Sequence, residues 1–295
     1  MEGSSQHSGP FPKRIFDRWL VVAGEVHNLL PMKGAHNGFP NHRLSRLSLG
    51  TVQFGMPYGI ANPPAALSES VVSEMLSVAW SGGISCLDTA GGYGTAEARI
   101  GNWLRKSDAA PIIVSKFSPV PDDSEPSVFI RESCDRSLSA LGIKTIDAYL
   151  AHSADDIHLE GALATIRELR AEGRIRSFGV SVYESDELEA ALQISDLKFI
   201  QAPISIFDRR LLVNDMVKRC KASGITLVSR SAFLQGVAFL DPNDLPDFLQ
   251  PLEPLLIRLR AIADLSGYSI AHLAIGFVLA QKAVDSVVVG ASTST

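Results

Sequence analysis

Four side chains of four chemical types stand at or just after the ends of short apolar runs: Asp88, Tyr93 in the Gly-rich turn that follows it, Lys116 and His152. Each alone has an ordinary structural use. An aspartate after a strand commonly caps a helix, a tyrosine among glycines decorates a loop, and a single lysine or histidine is solvated or bonded to backbone. Jointly they describe a proton donor. A free phenol titrates near ~10, so it needs help to exchange protons at neutral pH. A nearby ammonium favours the phenolate, and a carboxylate beside the ammonium keeps it charged and in place. An imidazole can orient a carbonyl oxygen by donating a hydrogen bond. Such a set would protonate a carbonyl whose carbon receives a hydride, and a hydride requires a cofactor because no side chain supplies one. A Schiff base on Lys116 is a second chemistry open to the same residues, and the preceding Asp and Tyr make it the weaker one.

These residues need elements that bring them to one place. Eight β-rich runs are expected at 47–52, 84–88, 112–116, 146–152, 175–181, 199–201, 225–230 and 286–290. They are continuous rather than alternating, as in parallel strands covered on the outside by helices. Helical spacing lies between them: Leu67, Val71, Met75 and Ala79; Ile130, Cys134 and Leu138; Met216, Val217 and Cys220; Leu255, Leu259 and Ile262. Gly173 and Gly224 read as helix C-terminal glycines, and Ser269 as the N-cap of a last helix over 270–281. Strands alternating with helices over 45–290 match the ~250 residues of a (β/α)8 TIM barrel, an α/β fold. A doubly wound sheet is the alternative, weakened because no GxGxxG follows the first run. In a barrel, the C-terminal strand ends form one mouth, where Ser181, Gln201, Arg230 and Ser231 would join the four residues above.

Residues 1–44 form an N-terminal extension of Gly-, Ser-, Pro- and Asn-rich composition, with an amphipathic helix expected over 14–30. Residues 45–295 form the barrel. Only 291–295 follow the eighth run, so the barrel is expected to lack its last outer helix, with the 14–30 helix covering the gap; a truncated chain is the competing explanation. A net charge of -5 from 27 basic and 32 acidic residues argues against nucleic-acid binding. No run approaches the ~18 apolar residues of a membrane span. Three separated cysteines suit a reducing cytoplasm. The seven histidines, four of them before residue 43, show no ligand-like spacing, so no metal is expected.

The sequence resembles the aldo-keto reductases from about Leu47 onward. The likeness is carried by Leu49-Gly50-Thr51 with Phe54-Gly55, by Asp88-Thr89-Ala90-Gly91-Gly92-Tyr93-Gly94 with Glu97, by Lys116, by Asp147 to His152 and by Gly179-Val180-Ser181. The resemblance implies NADP(H), ahead of NAD(H), bound without a Rossmann domain. It implies Tyr93 as general acid, Lys116 and Asp88 as the pair that sets its pKa, and His152 as the carbonyl-orienting residue. Ser181 and Gln201 would hold the nicotinamide carboxamide, Gly50 and Thr51 would lie against the nicotinamide, and Arg230 would stand where many members stack a tyrosine. Ser231 and Leu234 would begin the loop over the pyrophosphate, and Ser292 would complete the cofactor set. Phe54, Tyr58 and Phe117 are the expected substrate pocket, for aldehydes, ketones or sugars. Val182 departs from the Asn common in the family. The short segment after the eighth strand leaves a cofactor-sensing or regulatory protein as the competing function.

Overall fold

In the computed structural model, which describes residues 43–60, 67–213 and 215–292, eight parallel strands pair in sequence order and close on themselves. They are β1 (Leu47–Gly50), β2 (Cys86–Asp88), β3 (Ile112–Phe117), β4 (Ile146–Ala151), β5 (Ile175–Ser181), β6 (Phe199–Pro203), β7 (Thr226–Arg230) and β8 (Ser286–Gly290). Closure is made by β1 against β8, with Leu47 opposite Val287 and Gly50 opposite Gly290. The intervening helices are α1 (Val52–Gly55), α2 (Glu69–Ser81), α3 (Ala96–Leu104), α4 (Pro126–Leu141), α5 (Ala162–Ala171), α6 (Ser185–Ala191), α7 (Met216–Ala222), α8 (Glu253–Ser266) and α9 (Ile270–Leu279). The fold is a (β/α)8 barrel. Among the described residues β8 is the last element, and the expected 14–30 helix lies outside them.

The strands read as continuous apolar runs because both faces are buried. One face fills the barrel with Cys86, Ile112, Val114, Ala148, Leu150, Phe199 and Val228. The other packs on the helices through residues such as Leu87, Ile113, Tyr149, Val180 and Leu227. Successive side chains alternate between these faces.

Helix boundaries follow their caps. Ser68 Oγ accepts from Val71 N at the start of α2, and Ser269 Oγ accepts from His272 N at the start of α9. Gly173 and Gly224 follow α5 and α7 with φ of 76° and 67°, a left-handed backbone that glycine adopts without strain. Two expectations are corrected. The first run ends at Gly50, because Thr51 and Val52 turn into α1. In α8 the buried face is Leu256 and Leu259, whereas Leu255 is exposed. Leu256 packs with Val237, Leu245 and Leu249 of the long β7–α8 connection, so Leu256 takes the place of Leu255 on the buried face while Leu259 keeps its own.

Candidate active site

The inward positions at the C-terminal ends of the strands include Gly50, Asp88, Lys116, Ser181, Gln201 and Arg230. At the centre stands a buried ion pair. Lys116 Nζ donates to Asp88 Oδ1 and to the Thr89 carbonyl, each at 2.9 Å. Gln201 Nε2, from the far side of the barrel, donates to the same Asp88 Oδ1 at 2.7 Å. Lys116 is fully buried and Asp88 nearly so. Burial alone would push the ammonium towards neutrality, but Asp88 and Tyr93 more than offset it, so the Lys116 pKa lies above its ordinary value.

Tyr93 stands over this pair, with Lys116 Nζ 5.3 Å from its ring centroid. The His152 ring meets the Tyr93 ring edge-on, at 5.9 Å between centroids and 78° between planes. The expected lowering of the Tyr93 pKa is not the net result. Burial pushes the phenol up, Asp88 adds to that, and the pull of Lys116 does not cancel them. The phenol therefore keeps its proton at neutral pH. Burial also depresses His152, with help from Lys116 and Arg230, to about 4, so its imidazole is neutral at pH 7.

The turn that carries Tyr93 is fixed by backbone. Thr89 N and Gly91 N donate to the Val114 and Lys116 carbonyls of β3, and Ala96 N donates to the Tyr93 carbonyl as α3 begins. Gly55 of α1 lies so close behind it that a Cβ there would sit 1.7 Å from the Tyr93 carbonyl oxygen, and a Cβ on Gly94 would sit 2.5 Å from the Gly55 carbonyl oxygen.

Whether these residues suit a nicotinamide carboxamide can be judged from one orphan. Ser181 Oγ is buried without a hydrogen-bond partner, and Ser181 is the register partner of Gln201. A buried hydroxyl left unpaired calls for a polar ligand group, and a primary amide fits between a hydroxyl and a glutamine. Arg230 lies alongside: Nη2 donates to the Val182 carbonyl at 3.1 Å, and the guanidinium stacks 3.9 Å from the Tyr183 ring centroid. Tyr183 was missed by the sequence reading; its signal is an aromatic two residues past the end of β5. Ser231 Oγ lies 3.4 Å from Arg230 Nη1. Ser231, Leu234 and Gln235 all have positive φ, which concentrates strain in the segment after β7. The Gln235 carbonyl accepts from Ile60 N at 3.0 Å, so the loop after β1 is strapped to the loop after β7. Tyr58 sits in that first loop, partly exposed and within electrostatic reach of Tyr93 and Arg230.

Three expected contacts are corrected. Phe54 is fully buried in the outer core, so it walls no pocket. Phe117 follows Lys116 and therefore points the opposite way, packing on Tyr149 at 5.6 Å between ring centroids. Thr51 is fully buried, and its Oγ1 and N both donate to the Asp88 carbonyl, so its hydroxyl braces β1 on β2 instead of facing a ligand. Leu234 is half-buried against the small core under the β7–α8 connection, and Ser292 is half-buried at the end of the described chain.

Residues 46–295 match the model of the aldo/keto reductase family. The chain belongs to that family. It is a family of oxidoreductases that use nicotinamide cofactors. This family member is 28% identical to the NADH-specific methylglyoxal reductase of Escherichia coli (strain K12), over 88% of this chain and 90% of the relative. It is 28% identical to the D-threo-aldose 1-dehydrogenase of a Pseudomonas species, over 80% of this chain and 84% of that one. Among solved structures, the holo form of aldo-keto reductase AKR11C1 from Bacillus halodurans shares the fold with a TM-score of 0.69, at 24% identity, over 89% of this chain and 87% of that chain.

Proposed function

We propose that this aldo/keto reductase reduces the carbonyl of small aldehydes, ketones or sugars, or runs the reverse oxidation, with Tyr93 as the general acid. The observation that carries this reading is Lys116 Nζ, held between Asp88 Oδ1 and the Thr89 carbonyl with Tyr93 above it. A protonated phenol beside a permanent ammonium gives up its proton only when a stronger base forms next to it, and an alkoxide developing from a carbonyl is such a base. His152, neutral at pH 7, donates an N–H to the same oxygen and orients the carbonyl. Lys116 stabilises the phenolate that remains until solvent reprotonates it, and Asp88 with Gln201 keeps the ammonium from moving.

A nicotinamide dinucleotide supplies or accepts the hydride when bound. Ser181 and Gln201 would hold its carboxamide, and Gly50, Arg230, Ser231, Leu234 and Ser292 would line its path. The family resemblance favours NADP(H), whereas the relative from Escherichia coli is named NADH-specific. Tyr58 and Tyr183 supply the aromatic side of the substrate mouth. The names of the two relatives suggest 2-oxoaldehydes and aldoses as the first substrates to try. We place the activity in a reducing cytoplasm, because the three cysteines are free and buried.

Titration of the purified chain with NADPH and, separately, NADH tests the reading. Fluorescence quenching with micromolar affinity for either is expected; absence of binding to both overturns it. Tyr93→Phe is expected to lower kcat by ~10²-fold or more while leaving cofactor affinity within about twofold.

A further inference from the structure

Glu97 belongs to the block of residues that carries the family likeness, yet it takes no part in the proton chemistry above and is 6% exposed. We propose that Glu97 is a positioning residue: by hydrogen-bonding Ser115 and Ser137 it ties α3 to β3 and so holds Tyr93 beside Lys116.

The argument begins with connectivity. Tyr93 lies three residues before α3 and Glu97 lies in its first turn. Ser115 immediately precedes Lys116, so when Lys116 points into the barrel Ser115 points out towards the helices. Ser115 Oγ donates to Glu97 Oε1 at 2.6 Å, and the Ser137 hydroxyl on α4 also bonds this carboxyl. One carboxyl thus joins the helix that begins at the acid's own turn to the strand that bears its ammonium. It sits directly behind that turn: a Cβ placed on Gly91 would lie 3.6 Å from Ser137 Oγ and 4.0 Å from Glu97 Oε2. The remainder of the inner face of α3 is apolar, with Ala96, Ile100 and Trp103 buried. An apolar residue at 97 would pack equally well and avoid the cost of a buried carboxyl. What the carboxyl adds is direction, because hydrogen bonds fix the sliding of a helix along a strand and van der Waals contact does not.

The groups that face the Tyr93 phenol and set its titration are Asp88 from β2, Lys116 from β3, His152 after β4, Arg230 from β7 and Tyr58 from the first loop. Glu97 lies on the opposite side of β3 from Lys116 and within electrostatic reach of that ammonium. The phenol's own shift comes from burial, Lys116, Asp88 and Arg230, so the influence of Glu97 on Tyr93 is through placement.

The test uses Glu97→Met, which keeps the volume, Ser115→Ala, which removes the same bond from the other side, and Glu97→Gln, which keeps an acceptor. Without the brace Tyr93 drifts from Lys116. In Glu97→Met, kcat should then fall roughly ten- to hundredfold and the basic limb of kcat/KM should move to higher pH, with cofactor affinity unchanged. Ser115→Ala should shift both in the same direction, the double variant should be no worse than Glu97→Met, and Glu97→Gln should stay within about twofold of the parent. A folded Glu97→Met or Ser115→Ala chain with the parent pH profile and kcat overturns the proposal. If Glu97→Met does not fold, Ser115→Ala decides alone.

The kinetic arm rests on the proposed oxidoreductase reading. Ultraviolet titration of the phenolate band, with Tyr93→Phe identifying its share, needs neither cofactor nor substrate. A Tyr93 band that titrates at higher pH in Ser115→Ala supports the brace even if the parent shows no turnover. A band that does not move overturns it whatever the kinetics show.

Discussion

Asp88 Oδ1 accepts from both Lys116 and Gln201, with Lys116 fully buried and Asp88 nearly so, so the cost of removing a partner exceeds the gain of having it. Lys116→Met is expected to leave the carboxylate with Gln201 as its one side-chain donor among the described residues and to destabilise the chain by about 3–5 kcal/mol in urea melts. His152 gives a pH signature. Its folded pKa of about 4 lies below the 6.5 of a free imidazole, so the unfolded chain takes up the proton first as pH falls. Stability from this residue is complete above pH 6.5 and is lost as pH drops from there towards 4. The urea midpoint of the parent should decline across that window more steeply than that of His152→Gln.

At the scale of elements, strand pleat and glycine contacts place the chemistry. Lys116 and Phe117 are neighbours in sequence, yet one faces the barrel axis and the other the helix layer, which is why the lysine joins the site and the phenylalanine joins Tyr149. The turn bearing Tyr93 is seated by Gly55 against its carbonyl. Gly55→Ala should therefore push that turn away and lower kcat more than tenfold. Cofactor binding, for which we propose Ser181, Gln201 and Arg230 at the ends of β5 to β7 as the main contacts, should survive, as parallel kinetic and binding measurements would show. Gly179→Ala acts elsewhere: its Cβ would lie 1.8 Å from the Phe199 carbonyl oxygen, so the β5–β6 pairing itself should weaken and the thermal midpoint should fall.

For the whole molecule, barrel closure makes the parts interdependent. Cys86 in β2, Cys134 in α4 and Cys220 in α7 are all buried and free. Burial pushes the Cys86 thiol to about 12 and the Cys220 thiol to about 11, and raises Cys134 as well. In the native chain all three should resist thiol reagents. They should become reactive together, in the same urea transition that reports loss of tryptophan fluorescence; a thiol exposed earlier would mark a separately unfolding part. No single helix among the described residues is long and apolar enough to cross a membrane.

The number and order of strands, the helix caps at Ser269, Gly173 and Gly224, and the polar residues at strand ends were legible in the sequence. Each rests on local periodicity or on a residue's own backbone preference, which a linear chain carries with it. Within the Asp88–Lys116–Gln201 cluster the Asp88–Lys116 pair was expected from the residue types, whereas Gln201 was legible only as a polar strand end. That Gln201 reaches Asp88 across the barrel depends on closure between residues 113 apart in sequence. The burial of Phe54 and Thr51, the stacking of Arg230 on Tyr183 and the upward shift of Tyr93 were not legible at all. They depend on how much water the closed barrel excludes and on which elements approach one another, and those are properties of the packed molecule alone.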